Sequence, residues 1–168
     1  ILLLSVFFSG IFSTRSAGLI SVSAILFSIH LALRLIRFGE NPYSFFVLEN
    51  VIAIANALVF IFINLQLLFR DNIVNAYRII GAVNVYLLMA LVGALSLEVT
   101  HATSGVSIGG NVLLSGKDDD YAQFIYFSLA SLTTVGFGDI HAVNASSRML
   151  ATFLSTVGVL FPAIVIAR

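Results

Sequence analysis

The sequence predicts an all-α integral membrane protein: transmembrane helices plus one re-entrant half-helix that leads into a loop. Three observations carry this reading. Of 168 residues, 60% are hydrophobic and only 10% charged, whereas about 25% charged is usual in a soluble domain. Apolar runs longer than about 18 residues recur, long enough to span a bilayer. One further apolar segment, Tyr121 to Thr133, is too short to cross and runs into Thr134-Val-Gly-Phe-Gly138.

Composition also excludes. The net charge is zero, so no basic surface argues for nucleic acid. Without cysteine, a disulfide framework, a thiolate metal site and a cysteine nucleophile are ruled out. His30, His101 and His141 are scattered and lack metal-ligand spacing. No nucleophile, base and acid converge, so no catalytic residue is assigned and an enzyme is not expected. No cofactor is expected either. The chain starts Ile-Leu-Leu-Leu and ends in an apolar run at Ala167-Arg168, which reads as a fragment of a longer protein. Ile1 to Phe12 reads as the end of an earlier helix, since no basic region precedes it as in a signal peptide.

Four long apolar segments are expected as spans: about Ala17 to Phe38, Tyr43 to Phe69, Ile73 to Leu97, and Met149 to Ala167. At ~1.5 Å per residue each covers roughly 28 to 40 Å, against a hydrocarbon core of ~30 Å. Gly39-Glu-Asn-Pro42 breaks the first from the second, and Arg70-Asp71-Asn72 marks a turn into the third. The second segment carries Glu49, Asn50, Asn56, Asn64 and Gln66, polar groups that should face neighbouring helices rather than lipid. Glu49 has two readings. An intramembrane carboxylate is costly and by default functional; the reading preferred here is a hydrated group near the interface, close to Pro42.

Thr100 to Asp120 is polar, rich in Gly and Ser and without periodicity, and reads as an exposed loop. Asp118-Asp119-Asp120 reads as a solvated charge run, as a cap for the next helix, where carboxylates suit the positive end, or as both. Tyr121 to Thr133 covers only ~20 Å as a helix. A half-crossing helix followed by irregular backbone is tolerated only where protein or a water-filled cavity surrounds it. Its C-terminal end presents partial negative charge, which favours a cation. In the last segment Gly158 and Pro162 weaken the helix and suggest a kink.

The stretch Ser131-Leu-Thr-Thr-Val-Gly-Phe-Gly-Asp139 organises the rest. A cation that sheds its water shell needs rings of oxygen instead. Backbone carbonyls supply them if a strand turns every C=O to one axis. That requires alternating dihedral signs, which glycine accepts and other residues resist. Gly136 and Gly138 stand where the alternation needs them. Val135 and Phe137 would then pack behind the strand, and Thr134 would add a hydroxyl at its inner end.

Thr134-Val-Gly-Phe-Gly138 resembles the selectivity-filter signature of potassium channels. From about Ile73 onward the chain is similar to the pore domain of that superfamily: outer helix (about 73–97), turret (100–120), pore helix (121–133), filter (134–138) and inner helix (149–168). Gly81-Ala-Val-Asn-Val-Tyr86 in the outer helix supports the likeness. Residues 1–70 would be non-pore transmembrane helices, weakly similar to those of small prokaryotic six-helix channels. The resemblance implies tetrameric potassium-channel architecture, with K+ as the permeant ion held at Thr134, Val135, Gly136 and Phe137, and Gly138 completing the filter. It implies filter support from Thr133, Tyr126 and Asp139, and an inner-helix hinge or gate at Gly158 and Pro162. A single loop per chain cannot close a ring, so a homotetramer in the cell membrane is implied.

Departures from the family pattern matter. Phe137 replaces a common tyrosine, and Ala130 stands where some members carry a glutamate. Tyr126 replaces a tryptophan that bonds the acidic residue, so its hydroxyl is expected to reach Asp139 or a bridging water. His141-Ala142 replaces Thr-Pro, so a less rigid outer mouth is expected. Asn144-Ala-Ser146 is a glycosylation acceptor if the protein is eukaryotic.

A filter opening outward places Arg15, Arg70, Arg78 and Arg168 toward the cytoplasm, and Arg34, Arg37, Lys117 and Arg148 outside. This even split gives no positive-inside signal. Arg34 and Arg37 are expected to snorkel or to pair with Glu40 or Glu49, giving at most weak voltage dependence. The leading function is selective K+ conduction. Alternatives are a non-selective cation channel, a subunit of a related potassium transporter, and a non-conducting membrane sensor or structural protein.

Overall fold

The computed structural model describes residues 17–39, 46–70, 76–112, 114 and 120–167. Ile1 to Phe12, Arg15, Glu40 to Pro42, Asp71-Asn72, Lys117 to Asp119 and Arg168 lie outside the described residues, as do the side chains of Arg37 and Arg70. The described elements are α1 (Ala17–Gly39), α2 (Phe46–Arg70), α3 (Ala76–Ser104), β1 (Ile108–Gly110), α4 (Tyr121–Leu132), β2 (Ile140–Ala142) and α5 (Ala145–Ala167). The protein is thus mostly helical, with two three-residue strands that the sequence reading lacks. Three stretches are long and apolar enough to cross a membrane: Phe46–Phe69, Arg78–Ser104 and Ala145–Ala167. Within α1 the corresponding apolar stretch is shorter, Ser21–Ile36. Two compact units divide inside α3, between Leu88 and Met89.

In the first unit α1 packs on α2 along a polar seam. Ser23 Oγ donates to Asn56 Oδ1 at 3.2 Å, His30 Nδ1 lies 3.4 Å from the Glu49 carbonyl oxygen, and Arg34 Nη1 lies 3.6 Å from Glu49 Oε1. Ser23, His30 and Arg34 recur at helical spacing and so share one face of α1. On α2, Glu49, Ala53, Asn56, Phe60 and Ile63 form the matching stripe, and all five are buried. Asn64 Nδ2 turns back to the Phe60 carbonyl at 2.8 Å, which satisfies its amide within its own helix.

This corrects the reading of Glu49 as a hydrated group. Its side chain is 3% exposed. Helical periodicity puts it on the face that meets α1, where Arg34 compensates the charge. The half-exposed Arg34 keeps part of its guanidinium at the surface, as long basic side chains do.

The second unit holds the end of α3, the two strands, α4 and α5. Its core is Ala94 and Leu97 from α3, Phe124 and Phe127 from α4, and Ile108 and Ile140 from the two strands. Gly93 sets the closeness of the helices. A Cβ there would crowd Ser128 Oγ and lie 2.7 Å from Leu154 Cδ1. The space lets Ser128 Oγ donate to the Ala90 carbonyl at 2.7 Å, a buried polar contact between α4 and α3.

Three element boundaries differ from expectation. The outer helix does not stop at Leu97 but continues to Ser104. Thr100, Thr103 and Ser104 each return a hydroxyl to the carbonyl four residues back, so polar side chains are absorbed by the helix itself. The expected exposed turret is therefore partly helix and partly strand, with Ser107, Ile108 and Asp120 buried. The inner helix begins at Ala145, not Met149. Asn144 Oδ1 accepts the Ser147 amide at 2.8 Å, the geometry of an asparagine N-cap. Asn144 Nδ2 donates to Val106 O at 2.6 Å and Ser104 Oγ at 2.9 Å, so the amide a glycan would occupy is already part of the fold. Asp120 is the N-cap residue of α4, as one reading of the acidic run had it, but makes no side-chain capping bond.

Candidate ion-conducting site

The site starts where α4 ends. A helix leaves its last four carbonyls without intrahelical donors, and here the following residues and α5 supply donors to Leu129, Ala130 and Ser131. Leu129 O accepts the Thr133 amide at 2.9 Å and the Thr133 hydroxyl at 2.7 Å. Ala130 O accepts the Gly136 amide at 3.3 Å, and Ser131 O accepts the Thr134 amide at 3.1 Å. Ser155 Oγ of α5 also donates to Ser131 O, at 2.9 Å. The chain then leaves the helix with positive φ at alternate residues: Thr134 (58°), Gly136 (52°) and Gly138 (80°). Every residue from Thr133 to Asp139 is exposed in the single chain, including Val135 at 54% and Phe137 at 70%.

The outer end is braced. Tyr126 OH donates to Asp139 Oδ2 at 2.9 Å, the contact expected from the sequence. Asp139 Oδ1 accepts the Ile140 amide at 3.0 Å. The Tyr126 ring lies parallel to Phe137, with centroids 6.1 Å apart and 10° between planes. So Phe137, which lacks a hydroxyl of its own, is backed by an aromatic face. Asp139 O takes the Asn111 amide at 2.8 Å, and Gly110, at φ 116°, leaves room for that carbonyl.

Directly after Asp139, β2 pairs antiparallel with β1 in the register Ile108↔Ala142, Gly109↔His141 and Gly110↔Ile140. Ser107 O accepts the Val143 amide at 3.0 Å. His141 and Ala142, which replace Thr-Pro, thus sit in a backbone ladder rather than a free loop.

At the inner end α5 runs unbroken from Ala145 to Ala167, through both Gly158 and Pro162. Gly158 is buried, and a Cβ on it would overlap the Leu132 carbonyl oxygen and lie 2.7 Å from its carbon. The glycine is needed where α5 crosses the end of α4. Among the sequence-assigned residues, Tyr126, Phe137 and Asp139 meet at one end of the strand. Gly158 reaches the residue before Thr133, while Pro162 stands four residues further along α5. Ser155 and the β1 residues were not singled out from sequence. A hydroxyl one turn before Gly158 was the available clue to the first; nothing local signals the second.

A family model described as an ion channel matches residues 85–168, half of the chain. The chain belongs to this ion channel family. The channel is a multi-pass membrane protein of the pore-loop type and not an enzyme, and channels of this family typically work as oligomers. No curated protein and no solved structure matches the chain.

The Tyr126 phenol is held above its usual range, first by its hydrogen bond to Asp139, then by desolvation and by the Asp139 charge. A raised folded value means that the stabilisation is fully present below the unfolded pKa of about 10 and is lost as pH rises through the folded value. Thermal unfolding of the channel between pH 8 and 11 should show this loss only above about pH 10. Tyr126→Phe should be less stable at neutral pH and lack that alkaline step. An unchanged step in the variant would assign it to another group.

Proposed function

We propose that this channel conducts K+ selectively and passively, through carbonyl sites contributed by four copies of residues 134–138. The observation that carries the reading is the alternation of positive φ at Thr134, Gly136 and Gly138. An extended L-strand points successive carbonyls to opposite sides. Alternating dihedral signs instead turn them to one side, which is what a dehydrated cation requires. On this reading Thr134, Val135, Gly136 and Phe137 hold K+, with Gly138 completing the strand. Thr133, Tyr126 and Asp139 support it, and residues 71–168 form the pore domain.

The homotetramer is supported by the exposure of Val135 and Phe137 in the single chain. Apolar side chains behind a filter strand need cover, and a cyclic assembly supplies it from neighbouring subunits. The α4 terminus aims partial negative charge at the strand's inner end, which suits a cation. Gly158 and Pro162 remain the place for inner-helix bending, in the cell membrane. With Arg34 paired to Glu49, weak voltage dependence at most is expected, since one charge moved through the field supplies only ~2.3 kcal/mol per 100 mV.

The test is cation flux from liposomes containing the purified channel, under K+ and Na+ gradients in turn. Flux of K+ well above Na+ is expected. Equal fluxes would make it a non-selective cation channel, the second reading.

A further inference from the structure

The inner end of the filter strand is strained, and α5 holds it. Thr134 is β-branched, yet takes φ 58°, a region such residues avoid unless their surroundings over-determine it. The amide of Thr134 is tied to Ser131 O at 3.1 Å. That carbonyl is in turn fixed from the other side by Ser155 Oγ at 2.9 Å. Thr152 and Thr156, which flank Ser155, turn their hydroxyls back to the carbonyls of Arg148 and Thr152, both at 2.9 Å. Ser155 differs from them in that its hydroxyl also reaches a carbonyl of a second helix. It also keeps the alternative within reach, because its Oγ lies 3.0 Å from the Ala151 carbonyl oxygen.

We propose that Ser155 is a positioning residue for the innermost cation site. Its hydroxyl holds the Ser131 carbonyl, which holds the Thr134 amide, which fixes the direction of the Thr134 carbonyl and hydroxyl. The inference rests on the reading of residues 134–138 as a cation filter. It adds a link between α5 and that filter. With α5 seated against Leu132 at Gly158, the hydroxyl bridges to α4. When α5 moves away, the same hydroxyl falls back on Ala151 O without losing a hydrogen bond, and Thr134 loses its brace. Both acceptors are main-chain carbonyls, so the hydroxyl keeps a hydrogen bond with either.

The experiment compares wild type, Ser155→Ala and Ser155→Thr of the whole chain in liposomes, reading the ratio of K+ to Na+ flux. Ser155→Ala should lower the ratio about fivefold, the effect of one net hydrogen bond, and Ser155→Thr, which keeps the hydroxyl, should restore it. A ratio in Ser155→Ala equal to that of wild type overturns the inference while leaving the filter intact. So does a threonine variant that falls as far as alanine. A wild type that passes both ions equally overturns the filter reading and the inference with it. For a variant that conducts nothing, K+ binding is read by calorimetry on the purified protein. A weakened affinity supports the link, and an unchanged one overturns it. Should the alanine chain not assemble, Ser155→Cys keeps the volume with a much weaker donor and is judged by the same readings.

Discussion

Gly158→Ala is expected to destabilise the second unit by about 2 kcal/mol or more, although alanine is the better helix former. The sign separates two roles for this glycine. If it served only to make α5 flexible, alanine would stabilise the helix by about 1 kcal/mol. The geometry predicts the opposite. The added Cβ would overlap the Leu132 carbonyl oxygen, lie 2.7 Å from its carbon and 3.2 Å from Leu132 Cα. These are backbone atoms, so no rotamer change relieves the clash. Relief requires α5 and the end of α4 to part, and that displaces the residues leading into Thr134. Detergent-solubilised wild type and variant would be compared by thermal unfolding and gel filtration. A lower midpoint with loss of the assembled species is the expected result. A raised midpoint would show that Gly158 is there for bending alone.

The parts of this protein that were legible in the sequence are those fixed by local chemistry. Gly136 and Gly138 announce the strand because positive φ is a property of single residues. The ends of α4, Tyr121 and Leu132, fall within a residue of expectation because an apolar half-helix bounded by polar and glycine-rich chain has few alternatives. What was not legible depends on partners distant in sequence. β1 has three residues, Ile-Gly-Gly, with no periodicity to read; it is a strand only because Ile140–Ala142 lies beside it. Glu49 looked like a hydrated group because a single helix does not reveal which of its faces a neighbour covers, although its pairing with Arg34 of the preceding helix was among the expected ones. The extension of α3 to Ser104 was missed because Thr and Ser read as loop formers, whereas hydroxyls that bond back four residues let the helix continue. Thr134 is the reverse case. Its positive φ is invisible in a β-branched residue and goes with a carbonyl at the end of α4, Ser131 O, which accepts both the Thr134 amide and the Ser155 hydroxyl of α5.

Gly136→Ala is expected to cut the ratio of K+ to Na+ flux by tenfold or more. Gly136 has φ 52°, and a Cβ built on it meets nothing within 4 Å in the single chain. Within the subunit the penalty is therefore conformational rather than a matter of space. An L-residue in the left-handed region costs roughly 1–2 kcal/mol, and about 1.4 kcal/mol is already tenfold in an equilibrium. A cyclic assembly would repeat the penalty in every subunit around the axis, so the effect should exceed that of one chain. The strand relieves it by returning residue 136 to negative φ, which breaks the alternation with Thr134 and Gly138 and turns a carbonyl off the axis. Val135→Ala is the informative comparison. Val135 is not among the positive-φ residues, so its truncation removes packing behind the strand but leaves the dihedral pattern. It should lower flux less than Gly136→Ala and largely keep the preference for K+. If the two variants lost selectivity equally, side-chain packing rather than carbonyl direction would set it. If Gly136→Ala behaved as wild type, residues 134–138 would not be the path of the ion.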